Sequence, residues 1–314
     1  MKYFDLHCDT ATALLSRSQS LFDNNLHISL KKAETFESYA QVMAIWTHHK
    51  LSDEQGYETF FKVLHNLKNE IEINSNKTQF ATDHNSLNDA WSNSKTPLIL
   101  AVEDARILQN DLSKLDILYS KGVRLLTLNW YGDTCIGGAH NTNNGLTDFG
   151  VNVVKKCFEL DIIPDISHSS FKGASQVIEL AKSHQKPIVA SHSDSYKINP
   201  HSRNLRDEDF VAISNLGGLV GINLCPDHLA KSDASVSDVV KHIDHYLSLG
   251  GINTIAMGCD LDGTNLPKGF TNISDVHKIV DELNKINYSN ELIEKIMYKN
   301  ALHFFKNNLL GESL

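Results

Sequence analysis

Cysteine is scarce in this sequence and does not come in pairs. Its five residues, Cys8, Cys135, Cys157, Cys225 and Cys259, are odd in number, widely spaced and contain no CxxC. That argues against a disulfide framework and against a cysteine zinc site, and it makes a reducing, cytoplasmic setting the expectation. Nowhere is there an apolar run near the ~18 residues that a membrane helix needs. The opening MKYFDLHCDT carries charge and a histidine where a signal peptide would have a basic stretch and then an apolar one. Basic runs are missing too: 29 Lys+Arg stand against 38 Asp+Glu, a net charge of −9. This speaks against nucleic acid and anionic membranes as partners. Proline is rare, and no Pro/Gly/Ser-rich linker or internal repeat divides the chain, so residues 1–314 read as one domain. What the sequence has in excess is histidine, sixteen in all, and imidazole is the commonest metal ligand.

Short apolar, β-branched runs alternate with longer amphipathic ones, the pattern of a parallel sheet with crossover helices. Eight strands are expected, at 3–9, 41–47, 97–102, 123–129, 162–167, 187–191, 218–223 and 254–259. Helices are expected at 55–75, 149–160 with Thr147 as N-cap, 170–184, 235–250 and 276–306. The fourth opens on Ser235 with Asp238 three residues on and closes on Gly250. Eight strands with interposed helices over about 300 residues predict a (β/α)8 TIM barrel.

A barrel should carry its functional residues at the C-terminal ends of its strands, and the polar residues cluster there. Strand one ends in His7-Cys8-Asp9, the third in Glu103-Asp104, the fifth in Asp165 to His168, the sixth in Ser191-His192 and the eighth in Asp260-Leu261-Asp262. A lone His-x-Asp can be a buried histidine bonded to its neighbour. His7, Asp9, Glu103, His168, His192 and Asp260 at one barrel mouth would be costly to bury unpaired. A pair of divalent metal ions removes that cost. Nitrogen and oxygen donors without thiolates suit Zn²⁺ first, and also Mn²⁺, Fe²⁺ or Co²⁺. Glu103 can offer one oxygen to each ion, so it is the natural bridge. Such a pair activates water and polarises a carbonyl, and Asp260 can carry the proton to a leaving amine. The expected chemistry is metal-assisted amide hydrolysis. Asp262 is expected to shape the turn, His242 and His245 to be packing or surface residues on the barrel's outside, and Cys8 and Cys259 to face away from the site.

The chain also resembles the renal (membrane) dipeptidase family of zinc metallopeptidases, within the amidohydrolase-like barrels. The resemblance rests on FDLHCDT at 4–10, Glu103 in LAVEDAR, KGVRLLTLNW at 121–130, GLTDFG at 145–150, PDISHSS at 164–170, IVASHSDS at 188–195, RNLRDED at 203–209, GGLVGIN at 217–223 and GCDLDG at 258–263. It implies that His7 and Asp9 hold one metal, that His168 and His192 hold the second, and that Glu103 bridges them. It further implies that Asp260 handles protons and that Arg203, by itself an ordinary loop residue, grips a substrate carboxylate. The implied substrate is a dipeptide, L-L and also L-D, and the assembly common among such proteins is a homodimer.

Two positions depart from the family pattern. Trp130 stands where well-known members carry a histidine that holds the developing oxyanion, and Tyr196 stands where many carry an arginine. An indole has one N–H donor and cannot become cationic, so Trp130 is expected to line the substrate pocket, with His140 available as a substitute donor. These departures keep two alternatives open: hydrolysis of another amide, such as an N-acyl amino acid or a lactam, or a catalytically silent metal-binding barrel.

Overall fold

The structure, a computed structural model, describes residues 1–310. Its strands are β1 (Lys2–Cys8), β2 (Ser38–Trp46), β3 (Thr78–Phe80), β4 (Thr96–Glu103), β5 (Val123–Thr127), β6 (Ile163–Asp165), β7 (Val189–Ala190), β8 (Leu219–Ile222) and β9 (Ile255–Met257). All pair in parallel, in the order β2-β1-β9-β8-β7-β6-β5-β4-β3. A further pairing of β2 with β4, from Gln41↔Leu98 to Trp46↔Glu103, closes eight of them into a (β/α)8 barrel. The eight expected strands are all present. The ninth, β3, is an addition to them. It pairs with the first residues of β4, below β5 on the same edge, and its three residues, Thr-Gln-Phe, are too few to carry a period.

The helices follow from their caps. Ser52 begins Asp53–Ile73 with a full capping box to Gln55, and Thr147 caps Asp148–Glu159 by accepting from the Gly150 N–H at 2.9 Å. Helix Val236–Ser248 ends before Gly250, whose φ of 89° only glycine adopts cheaply. The stretch expected to be helical over 276–306 is interrupted. It divides into His277–Lys285 and Asn290–Glu294, and the latter runs through a π turn into Asn300–Asn308. The break is local: Asn287 takes a left-handed φ of 63°, and Ser289 recaps the chain by accepting from the Leu292 N–H.

Phe4, Leu6, Val42, Ile99, Leu125, Ile163, Val189 and Leu219 fill the barrel interior, with alanines between them. Helix Asn300–Asn308 closes the end where the strands begin: Phe305 stacks on Phe4 with ring centroids 5.2 Å apart. The opposite end, where the strands finish, is left to polar residues.

A β-bulge in β1 sets their direction. Asp5 pairs with Gln41 but Cys8 pairs with Met43, three residues against two. Strict alternation would turn Asp5 inward with His7. Instead Asp5 lies on the outer face beside the Tyr3 hydroxyl. There its Oδ1 accepts from the His7 N–H at 3.0 Å and the Cys259 N–H at 3.1 Å. With Asp9 N–H to Leu261 O at 2.9 Å and Asp260 N–H to His7 O at 3.2 Å, this sews the first strand to the last one under the site.

Candidate active site

The barrel mouth brings His7, Asp9, Glu103, His168, His192 and Asp260 together. Glu103 is central and buried. Its Oε2 lies 3.4 Å from His7 Nε2, while its Oε1 lies 3.0 Å from His168 Nε2 and 3.5 Å from His192 Nε2. His7 Nε2 is also 3.7 Å from Asp9 Oδ2 and 4.0 Å from Asp260 Oδ1. One carboxylate thus faces two separate sets of donors, one with each oxygen.

The histidines are oriented from behind. His168 Nδ1 lies 3.1 Å from the Trp130 carbonyl, which can only accept, so the proton sits on Nδ1 and the Nε2 lone pair faces Glu103. His192 Nδ1 lies 2.7 Å from Ser191 Oγ. That hydroxyl donates to Asp165 Oδ2 at 2.5 Å, so it receives the His192 proton. Asp165 is fully buried and also accepts from Thr127 Oγ1 at 2.6 Å and from the Ser167 and Ser191 N–H groups, each at 2.9 Å. It does for β6 and β7 what Asp5 does for β1 and β9.

These groups fit a bound cation pair. His7 Nε2, His192 Nε2 and Asp9 Oδ1 are buried atoms with no hydrogen-bond partner, a costly arrangement unless something else engages them. Burial, with Glu103 close by, pushes the Asp9 carboxyl up to about 6. Asp260 is raised as well, by burial and by Asp9 and Glu103. Burial disfavours a charged His7 ring, yet Glu103 and Asp9 outweigh it and raise that pKa. Carboxylates so crowded call for positive charge. The candidate metal-holding groups among the described residues are His7–Glu103–His192 and His7–Asp9–Asp260.

A cleft of about 460 Å³ opens above this cluster, lined by Asp9, Glu103, His168, Asp260, Arg203 and Trp130, among others. His7 and His192 lie behind this lining, fully buried and within 3.5 Å of Glu103. Arg203 is only 5% exposed. Its Nη2 donates to the His192 carbonyl at 3.3 Å, and its Nε has no partner. No carboxylate lies in ion-pair range of it among the described residues. Asp260 Oδ2 accepts from Asn223 Nδ2 at 3.3 Å, and its φ of 56° is strained for a non-glycine. At Gly263 a Cβ would sit 2.0 Å from Asp9 Oδ2 and 2.3 Å from Asp260 Oδ1, so any side chain there would displace these two carboxylates. Trp130 forms an aromatic wall with Trp46 and His49, each with its ring centroid 5.1 Å away.

The remaining expected residues separate. Asp262 lines the cleft but works as a clasp, accepting from Thr10 Oγ1 and the His27 N–H, both at 2.6 Å. Cys8 points outward to Met43 and Cys259 to Tyr3. Tyr196 is not in the cleft; it packs edge-on against Phe171. His140 does line it, with Nδ1 2.9 Å from Ser202 Oγ. Sequence reasoning misses His201 and His228, which share the Arg203 wall, and the supporting pair Asp165–Ser191. A strand-end Ser-His dipeptide is the available signal for the latter.

A parallel barrel with imidazoles and carboxylates converging at its C-terminal mouth is the architecture of a metal-dependent hydrolase. Within that class the chain belongs to the membrane dipeptidase family, peptidase family M19, whose model matches residues 1–312. A Schizosaccharomyces pombe protein named as an uncharacterized dipeptidase is 31% identical over 228 residues, 68% of this chain and 54% of that one. A Klebsiella pneumoniae protein, named as uncharacterized and encoded in the pqqA 5′ region, is 29% identical over 223 residues, 67% of this chain and 81% of its own. Among solved structures, a Rhodobacter sphaeroides metallopeptidase liganded with a phosphinate mimic of L-Ala-D-Ala superposes with a TM-score of 0.90 at 22% identity, over 98% of this chain and 99% of that one. At that identity the likeness shows the fold.

Proposed function

We propose that this protein is a zinc-dependent dipeptidase that hydrolyses the single amide of L-L and L-D dipeptides. The observation that carries this reading is Glu103, whose two oxygens face different histidines, in one cleft with a buried guanidinium that lacks a carboxylate partner. His7 and Asp9 would hold one ion, His168 and His192 the other, with Glu103 shared. When bound, the ions supply Lewis acidity that activates water and polarises the scissile carbonyl.

The protein's own residues do the rest. Arg203 pairs with the substrate's terminal carboxylate, a role that suits its planar fork of donors, and so fixes the amide over Glu103. Asp260, held by Asn223 on one oxygen, accepts the proton of the attacking water on the other and delivers it to the leaving amine. Trp130 and Trp46 wall the cleft from solvent. Tryptophan cannot reproduce a cationic histidine, so Trp130 acts by shape, and its carbonyl acts through His168.

The test is hydrolysis of L-L and L-D dipeptides by the zinc-loaded protein, beside His192→Ala and Asp260→Asn. Turnover by the wild type, lost by about 10²-fold or more in both variants, is the expected result. A protein that binds two ions per chain yet cleaves only N-acyl amino acids or lactams would replace the dipeptide reading with the broader amidohydrolase one.

A further inference from the structure

The wall that carries Arg203 holds more donors than a single carboxylate needs. His201, His228 and His140 all line the cleft beside it. Their rings form an arc: His201 and His228 have centroids 4.8 Å apart, and His140 and His201 6.4 Å apart. None is close enough to its neighbours to complete a metal-holding group among the described residues.

Local donors fix two of the three tautomers. His201 Nδ1 accepts from the Arg203 backbone N–H at 3.2 Å, and His228 Nδ1 faces the Asn223 amide Nδ2 at 3.5 Å. A nitrogen that accepts carries no proton, so in both rings the proton sits on Nε2. Neither Nε2 has a hydrogen-bond partner among the described residues. The third ring, His140, has Nδ1 occupied by Ser202.

The arc is also built rigidly. Asn204 Nδ2 donates to the His228 carbonyl at 2.8 Å and to the Asn199 carbonyl at 2.9 Å, while Asn199 Nδ2 donates to the Asp227 and His228 carbonyls at 2.9 and 3.0 Å. Two buried asparagines thus clasp the loop of His201 and Arg203 to the segment of His228. The acid on this wall, Asp227, is exposed at its rim.

Resting on the assignment of Arg203 to the substrate's terminal carboxylate, we infer that the cleft selects dipeptides whose second residue has an acidic side chain. The second carboxylate accepts from His201 and His228 Nε2–H beside the guanidinium. Preorganised donors favour an anion over its neutral isostere because both must be desolvated, and only the anion forms charge-assisted bonds in return.

The test compares kcat/KM for Ala-Glu, Ala-Gln, Ala-Lys and Ala-Ala, in L-L and L-D forms, with the zinc-loaded wild type and with His201→Asn and His228→Asn. The expected wild-type preference for Ala-Glu over Ala-Gln is about tenfold or more. It should fall by several-fold in each variant, whichever way the absolute rates move. A ratio near one, a preference for Ala-Lys, or a ratio unmoved by both variants overturns the inference. Calorimetric binding of free glutamate against glutamine to the loaded protein reads the same wall without turnover. If no dipeptide is cleaved, the dipeptidase reading fails, while tighter binding of glutamate upholds the acidic subsite and equal binding overturns it.

Discussion

Ser191 is a small residue on which a proposed metal ligand, His192, depends. Its hydroxyl takes the proton of His192 and passes its own to Asp165. Removing such support for a ligand typically weakens metal binding about 10–100-fold. Ser191→Ala is therefore expected to titrate with one tight and one weakened zinc in a chelator competition, where the wild type shows two tight ones. Gly263→Ala is expected to fail differently. The new methyl pushes on Asp9 and Asp260 together, so activity should fall by about 10²-fold or more with the thermal midpoint little changed, measured by kcat and by calorimetry. At this scale the residues proposed to hold metal are legible in the sequence because they end strands, and strand ends are where a barrel gathers its chemistry. His201 and His228 are not legible. His201 sits on an irregular loop and His228 on the four-residue helix Pro226–Leu229, too short to carry a period, and the Asn199–Asn204 clasp holds them beside Arg203. The family's arginine position held by Tyr196 is legible too, but its side chain turns away to Phe171.

Among the elements, helix Val236–Ser248 is the most readable, with its cap, apolar stripe and closing glycine. Its His242, expected as a packing or a surface residue, is the former, a fully buried crosslink: Nδ1 accepts from the Ser195 N–H at 2.9 Å, and Nε2 donates to the Leu229 carbonyl at 3.0 Å. Burial lowers its pKa from 6.5 to about 4. Below pH 6.5 the unfolded chain takes up a proton that the folded one refuses until about pH 4. The stabilisation is complete above pH 6.5 and is lost as pH falls between those values, about 3 kcal/mol in all. Urea unfolding at several pH values should show this slope, and His242→Gln should flatten it. Below the barrel, Phe305→Ala in helix Asn300–Asn308 removes a fully buried ring stacked on Phe4, and should cost about 3–5 kcal/mol in the same measurement. The short β3 and the break at 286–289 escape a reading of the sequence for a common reason. Each is decided by one or two residues, below the length at which periodicity speaks.

The whole molecule binds its proposed metals with residues from β1, β4, β6 and β7 and their following loops, so the ions crosslink much of the barrel. A ligand that binds only the folded chain stabilises it by mass action, by about 4 kcal/mol at a thousand times Kd. Chelation is expected to lower the melting temperature by several degrees, and zinc should restore it in a concentration-dependent way.

The seam where β9 meets β1 has a consequence in time. Asp5 and Cys259 touch across 254 residues of chain, and Asp260 takes its place only when they do. On the ribosome β9 emerges after the other described strands, so every earlier fragment lacks its proposed proton carrier even if all five proposed metal ligands are already made. On the proposed mechanism, a growing chain that has captured metal is still inert toward the peptides around it, and hydrolysis begins only when the barrel has shut.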